Sequence, residues 1–294
     1  MNIRSPLNYT GGKYKLLNYI IPLIPKGTNQ FVDLFAGGLN VGINVTANTI
    51  YANDRLTYLI DLYKYFQDRS TEDIIDEVKN RISEFNLSNQ NQESYNIFRD
   101  YYNKTKNPLD LFILSCFSFN NQMRFNNDFE FNMPFGLRSY NDQIESNLRR
   151  FCDVLHNRKF ILSSKDFRFF NYSVLNRDDV VYCDPPYLLS TATYNDGNRG
   201  FGDWNEADDR DLFTILNDLN TNGIKFILSN VTEHRGEKNE NLLTFAKDYY
   251  LTEINKTYKD CSYNLKDRYA ETKEVLITNF KPEITVIRKN RLFY

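Results

Sequence analysis

The 294-residue chain is 41% hydrophobic and 25% charged with a formal net charge of −2, the balance of an ordinary soluble protein. It has no apolar run near the roughly 20 residues that span a bilayer, and its first ten residues lack a signal-peptide core, so no membrane association is expected. Scattered cysteines (Cys116, Cys152, Cys183, Cys261) and two histidines (His156, His234) argue against a zinc site or disulfide framework; no metal is expected, and a reduced, cytoplasmic setting is.

In chain order, residues 15–24 carry apolar side chains at helical spacing and Pro25-Lys26-Gly27 ends the run. This predicts a helix entered through Thr10 and the glycines of Tyr9-Thr10-Gly11-Gly12-Lys13. Residues 30–35 read as a buried strand running into Ala36-Gly37-Gly38, then a helix from Leu39 to about Thr46, then a strand over 49–53 ending at Asp54. Strand, glycine turn, helix, strand and terminal acid is how a doubly wound nucleotide-binding sheet begins. Residues 56–116 are mainly helical and polar, with a loop-like Asn/Gln/Ser cluster at 87–94. Residues 117–140, rich in Phe, Asn and Gly, read as irregular or hairpin-like, and helical spacing resumes over 141–155. Further strands are expected at 159–162, 180–183, 224–228, 249–252 and 274–278, with a turn at 195–198 and an amphipathic helix at 206–219.

Net charge gives no nucleic-acid footprint. Basic residues do cluster in the stretch 131–168 (Arg138, Arg149, Arg150, Arg158, Lys159, Lys165, Arg168) and in the tail (Lys281, Arg288, Lys289, Arg291). Solvated faces are the commoner explanation for such clusters, and composition neither supports nor excludes a DNA partner.

The richest stretch for chemistry is Asp184-Pro185-Pro186-Tyr187, directly after the apolar run Val180-Val181-Tyr182-Cys183. Each proline fixes its own φ and restricts the residue before it. A strand ending this way can hold two hydrogen-bond acceptors, the Asp184 carboxylate and the Pro185 carbonyl, toward one NH2 group, with Tyr187 offering a face for stacking. A strand exit capped by Asp is the plainer alternative. Asp33-Leu34-Phe35-Ala36-Gly37-Gly38 can let a ligand approach the backbone, although it lacks a full G-x-G-x-x-G and any G-K-[ST]. Asp54 can accept from ribose hydroxyls or cap a turn. Lys13 can bind a carboxylate or phosphate.

Taken together and in order, these motifs resemble the Dam-type, D12 class of DNA adenine-N6 methyltransferases, over nearly the whole chain. The resemblance implies a Rossmann-like S-adenosylmethionine-dependent methyltransferase fold, α/β in class. Residues 1–55 and 157–294 would form the catalytic domain, and 56–156 an inserted, mainly helical target-recognition domain. It implies S-adenosyl-L-methionine as cofactor, held by Tyr9, Gly11, Gly12, Lys13, Asp33, Phe35, Gly37, Gly38, Asp54, Asp166, Phe167 and Asp184. Asp184, Pro185, Pro186 and Tyr187 would form the catalytic motif, and Lys273-Glu274-Val275-Leu276-Ile277 the last family strand. DNA would be met by Asn8, Asn120, Asn121, Gln122, Arg124, Asn126, Asn132, Pro134 and Arg138. Among these, Arg124 suits a guanine edge, whereas Asn121 and Gln122 also suit a purely structural polar hairpin.

The implied activity is methyl transfer to N6 of an adenine flipped out of double-stranded DNA. Cytosine-N4 methylation and a non-catalytic DNA-binding relative are the alternatives; Asp rather than Ser at position 184 favours adenine. The implied setting is the cytoplasm of a prokaryote, or a phage gene, with a cognate restriction endonuclease and a monomer or weak dimer. Asn8 stands where the GATC-methylating branch commonly has Lys before its motif aromatic, so the resemblance does not carry GATC specificity over to this chain.

Overall fold

The computed structural model describes residues 2–189, 204–254 and 272–282; the turn expected at 195–198, Cys261 and the tail cations Arg288, Lys289 and Arg291 lie outside them. Five parallel strands dominate: β1 (Gln30–Asp33), β2 (Thr49–Asn53), β3 (Phe160–Ser163), β4 (Val180–Cys183) and β5 (Lys225–His234). β6 (Glu237–Lys238) pairs with the far end of β5. β7 (Tyr250–Ile254) and β8 (Thr272–Thr278) complete the sheet, whose order is β3-β2-β1-β4-β5-β8-β7, with β8 antiparallel to both its neighbours.

Period-two alternation explains why these segments form a sheet buried on both sides. Phe31, Ile50, Val180, Tyr182 and Ile227 enter one apolar cluster, while Val32, Val181, Cys183, Phe226 and Leu228 enter the other. The helices are α1 (Leu17–Ile20), α2 (Thr57–Gln67), α3 (Thr71–Glu84), α4 (Gln92–Thr105), α5 (Pro108–Phe117), α6 (Asp142–Asn157), α7 (Glu206–Thr221) and α8 (Glu240–Phe245). α7 and α8 cover the second face; α1, α2, α5 and α6 contribute to the first cluster. No helix among the described residues is long and apolar enough to cross a membrane.

Several boundaries follow from caps. Ser70, Asn91, Asn107 and Asn141 each accept a backbone N–H from the first turn of α3, α4, α5 and α6, so the 87–94 cluster ends at a helix start. Two predicted helices are cut short. The first is a 3-10 turn (Lys13–Leu16), α1 and a second 3-10 turn (Ile21–Leu23) containing Pro22; its N-cap is Gly12, not Thr10, and no side chain caps it. The helix expected from Leu39 shrinks to one 3-10 turn, Gly42–Asn44. Leu39 stands at φ +55°, and Asp33 takes the Gly42 N–H at 2.8 Å, so the chain wraps the strand end instead of coiling away from it.

The long segment between β2 and β3 stays attached to the sheet at both ends. From α2, Tyr63 donates to the Gly37 carbonyl at 2.6 Å and Gln67 to the Phe160 carbonyl. Beyond α6, Arg158 donates to the Val45 carbonyl at 2.7 Å. Between them lie α3, α4, α5 and a loop closed by the bridges Ser118–Phe135 and Phe125–Phe131.

Candidate active site

The strand order reverses between β1 and β4, because β1 runs outward to β2 while β4 starts the other half. In open α/β sheets the crevice at that reversal, beyond the carboxyl ends of the strands, is where ligands sit. Here Asp33 closes β1, Asp54 follows β2 and Asp184 follows β4. Parallel register does the rest: Asp33 lies beside Tyr182, two residues before Asp184.

The two glycine turns interlock over this edge. A Cβ on Gly37, whose φ is +46°, would meet the Tyr9 ring at 2.8 Å, and one on Gly38 would meet Tyr9 Cβ at 3.0 Å. Glycine is therefore required for the turns to touch. Asp54 lies beneath them, its Oδ2 accepting from the Gly37 N–H at 2.7 Å and its Oδ1 from the Leu56 N–H at 2.9 Å. Asn53, not foreseen from sequence, pins the same edge by donating to the Leu34 and Lys165 carbonyls and accepting from Ser163 and the Lys165 N–H.

These turns line a narrow cleft that brings together ten of the twelve residues expected to hold a cofactor. They are Tyr9, Gly11, Gly12 and Lys13 from the first turn, Asp33, Phe35, Gly37 and Gly38 from the second, and Asp54 and Asp184. Thr10, Ala36, Asn40, Val41, Tyr182 and Pro186 complete the wall. The remaining two stand outside it. Phe167 is buried behind Phe35, ring centres 5.5 Å apart, and Trp204 closes the aromatic trio at 5.5 Å from Phe167 and 5.7 Å from Phe35. Asp166 is engaged with Arg168, accepting from its N–H at 3.0 Å and pairing with its guanidinium at 3.2 Å.

Burial of so many acids has a cost that shows in their protonation. Burial pushes Asp33 up to about 7, opposed by the Gly42 N–H and reinforced by the charges of Asp184 and Asp54. Asp184 is likewise raised by burial, with the Lys13 ammonium pulling it back. Because the folded value for Asp33 exceeds its unfolded 3.8, its contribution to stability is complete below pH 3.8 and is lost as pH rises through about 7. The span is on the order of 4 kcal/mol. Asp33→Asn should therefore flatten the decline of unfolding free energy between pH 5 and 8 relative to wild type; parallel urea titrations at several pH values check this, and an unchanged slope would refute it.

Lys13 departs most from its expected part. It does bind carboxylates, but the protein's own: its Nζ is 2.8 Å from Asp184 Oδ1 and 3.7 Å from Glu274 Oε1. Tyr187 is fixed by its hydroxyl, which stands 3.0 Å from Asp184 Oδ1, from Ser229 Oγ and from Glu274 Oε1. Its ring lies 4.9 Å beneath Lys13 and lines a second, wider cleft of about 1980 Å³ that includes Asn8, Lys15, His234, Arg235 and Glu274. Ser229 and Glu274 were missed as site residues. Their signal was a polar residue inside an otherwise apolar strand: Ser229-Asn230 after Ile227-Leu228, and Glu274 before Val275-Leu276-Ile277. All three polar residues are buried.

The expected DNA-contacting residues divide into two sets. Arg124 turns Nε and one terminal nitrogen onto Asn132, both at 2.8 Å, so it clasps the 117–136 loop from within. Asn121 donates to the Ser115 and Cys116 carbonyls at the end of α5, the structural part foreseen for it as an alternative. Asn126 closes its own turn with Asp128 and Glu130. Gly136 fits only without a side chain, since a Cβ would fall 2.1 Å from the Ser118 carbonyl oxygen. Asn8, Asn120, Pro134 and Arg138 are exposed, and Gln122 half-buried. The Asn8 amide donates to the Asn120 carbonyl at 2.7 Å, joining the first glycine turn to this loop.

Comparison with known proteins agrees with this geometry. Residues 9–273 match the D12 class N6 adenine-specific DNA methyltransferase family. The chain is 48% identical over 280 residues to Type II methyltransferase M.FokI of Planomicrobium okeanokoites, covering 95% of this chain and 43% of that protein. It is 44% identical over 284 residues to modification methylase StsI of Streptococcus sanguinis, again 95% of this chain and 43% of the relative. DNA adenine methylase of Escherichia coli K12 is 33% identical over 198 residues, 65% of this chain and 68% of that protein. The chain thus spans less than half the length of the first two relatives. With a parallel sheet reversing at an acid-lined crevice and a family match running through both glycine turns and the Asp184 corner, the chain belongs to the D12 class of N6 adenine-specific DNA methyltransferases.

Proposed function

We propose that the protein transfers a methyl group from S-adenosyl-L-methionine to N6 of an adenine flipped out of double-stranded DNA. The observation that carries this is the place of Asp184: it ends β4, lines the narrow acidic cleft and touches, through Tyr187, the wide one. One carboxylate thus stands between the narrow cleft and a wide, open one.

The narrow cleft fits S-adenosylmethionine by charge. A ligand with an ammonium and a sulfonium suits a cavity walled by Asp33, Asp54 and Asp184. Asp54 at the end of β2 suits the ribose, and Phe35, backed by Phe167, suits the adenine ring. When bound, the cofactor supplies an electrophilic methyl group. The chain supplies position and charge: Asp184 and the Pro185 carbonyl accept the two N6–H bonds, turning the nitrogen lone pair out of the ring plane. Tyr187, its hydroxyl anchored, offers its ring to the extruded base.

The 56–156 segment is assigned as the target-recognition unit, with Asn8, Asn120, Pro134 and Arg138 facing DNA, Gln122 beside them and Asn121, Asn126 and Asn132 shaping the loop. Arg124 reads a base only through its remaining nitrogen or after releasing Asn132. Relatives named Type II methyltransferase and modification methylase support a restriction endonuclease as cellular counterpart, and bacterial cytoplasm as the setting. Incubating the protein with labelled S-adenosylmethionine and duplex DNA, then digesting to nucleosides, should yield N6-methyladenine. N4-methylcytosine, or no labelled nucleoside, would overturn the proposal.

A further inference from the structure

We propose that Glu274 is a positioning residue that works through Tyr187, the hydroxyl of Tyr187 relaying to it the proton that Asp184 takes from N6. The inference rests on the adenine-methylation reading above.

The geometry is unusual in one respect. A phenol carries one proton, yet the Tyr187 oxygen lies 3.0 Å from a carboxylate oxygen of Asp184 and 3.0 Å from one of Glu274. It can donate to only one of them at a time, and it can accept from the other once that one is protonated. Ser229 Oγ, also at 3.0 Å, holds the hydroxyl between them. Lys13, from the first glycine turn, faces both acids at 2.8 and 3.7 Å and balances whichever is ionised. The two carboxyls also open to different places. Asp184 lines the narrow cleft, Glu274 the wide solvent-open one, and Tyr187 joins them.

The step balances as follows. The N6 lone pair forms the N–C bond as the methyl C–S bond breaks and its electron pair stays on sulfur. As that bond forms N6 passes a proton to Asp184, and in the same transition state Asp184 passes it to the Tyr187 oxygen while the phenolic proton moves to Glu274 Oε1. Asp184 and Tyr187 end as they began, and Glu274 ends as a carboxylic acid facing the wide cleft. The phenol never has to ionise, which matters because burial and the two carboxylates raise Tyr187 well above its ordinary value.

The test is single-turnover methyl transfer in mixtures of H2O and D2O, using wild type, Glu274→Gln, Tyr187→Phe, the double variant and Glu274→Asp. Wild type should give a curved dependence on deuterium fraction, since two protons move together. Glu274→Gln and Tyr187→Phe should each lose about a hundredfold in rate and give a linear dependence. The double variant should be no slower than Tyr187→Phe, because both lie on one path, and Glu274→Asp should regain part of the rate. A linear dependence in wild type, or curvature and rate kept in either single variant, would overturn the relay. A uniform rate loss that leaves curvature intact would mark Glu274 as merely structural and also overturn it. Wild type failing to methylate adenine would instead overturn the reading on which it rests.

Discussion

Asp184→Ala is expected to lower single-turnover methyl transfer by about a thousandfold while S-adenosylmethionine still binds. The reason is the division of labour at the crevice. In the proposed reading the cofactor would be held by two glycine turns, Asp33, Asp54 and Phe35, all lining the narrow cleft, whereas the acceptor for N6–H would stand at the exit of β4. Exocyclic N6 is a poor nucleophile because its lone pair is delocalised into the ring, so loss of the acceptor removes both orientation and charge stabilisation. Asp184→Asn separates these two. It keeps the shape and one acceptor oxygen for N6–H but carries no charge and takes up no proton, so its rate should fall between those of wild type and Ala. A second signature is available in the same proteins. The Asp184 charge is one cause of the raised Asp33 value, so neutralising it should move the Asp33 transition to lower pH. Calorimetric titration with S-adenosylmethionine, label transfer to DNA and pH-dependent unfolding together check the prediction. Turnover within tenfold of wild type would remove Asp184 from the chemistry.

How much of this was legible in the sequence depended on whether a residue's partner was close in the chain. Period-two runs gave the strands of both sheet halves, since each strand buries both faces and its pattern is local. Helical spacing gave the helix over 141–155, whereas 56–116 was legible only as mainly helical, its division at the Ser70, Asn91 and Asn107 caps emerging from the structure. Apolar spacing predicts a full helix from Leu39 because it says nothing of Asp33, nine residues back, which takes the Gly42 N–H. β5 was ended at Leu228 because Ser229 and Asn230 broke the apolar run; these polar residues are buried. Of the site, the three acids at strand ends could be placed by motif and position. The clasp joining Lys13, Asp184, Tyr187, Ser229 and Glu274 could not, since it closes across 261 residues between its ends and spacing carries no information at that range. Arg124 shows the converse: a side chain that suits guanine by type is bound to Asn132 by an eight-residue loop.

Lys13→Met carries the largest expected effect on stability, about 3–5 kcal/mol. Methionine preserves the unbranched stem and removes the ammonium that lies between Asp184 and Glu274, both nearly buried. Two carboxylates bridged by one phenol would then face each other without it, which drives the buried Asp184 carboxyl toward its protonated form. The sign of the pH dependence follows. Removing the cation raises the folded value of Asp184 further above the unfolded one, so the variant is least impaired at low pH and loses ground as pH rises through that raised value. The deficit against wild type should therefore widen from pH 5 to pH 8. Methyl transfer should fall as well, because a protonated Asp184 offers a donor to N6–H. Adding Glu274→Gln to Lys13→Met removes the second charge and should restore part of the stability, a coupling that a double-mutant cycle isolates. It should not restore the rate if Glu274 receives the relayed proton. A Lys13→Met protein as stable as wild type at pH 8 would show that the ammonium is not what makes an acidic crevice tolerable, and recovered rate in the double variant would show that Glu274 serves only as a counter-charge.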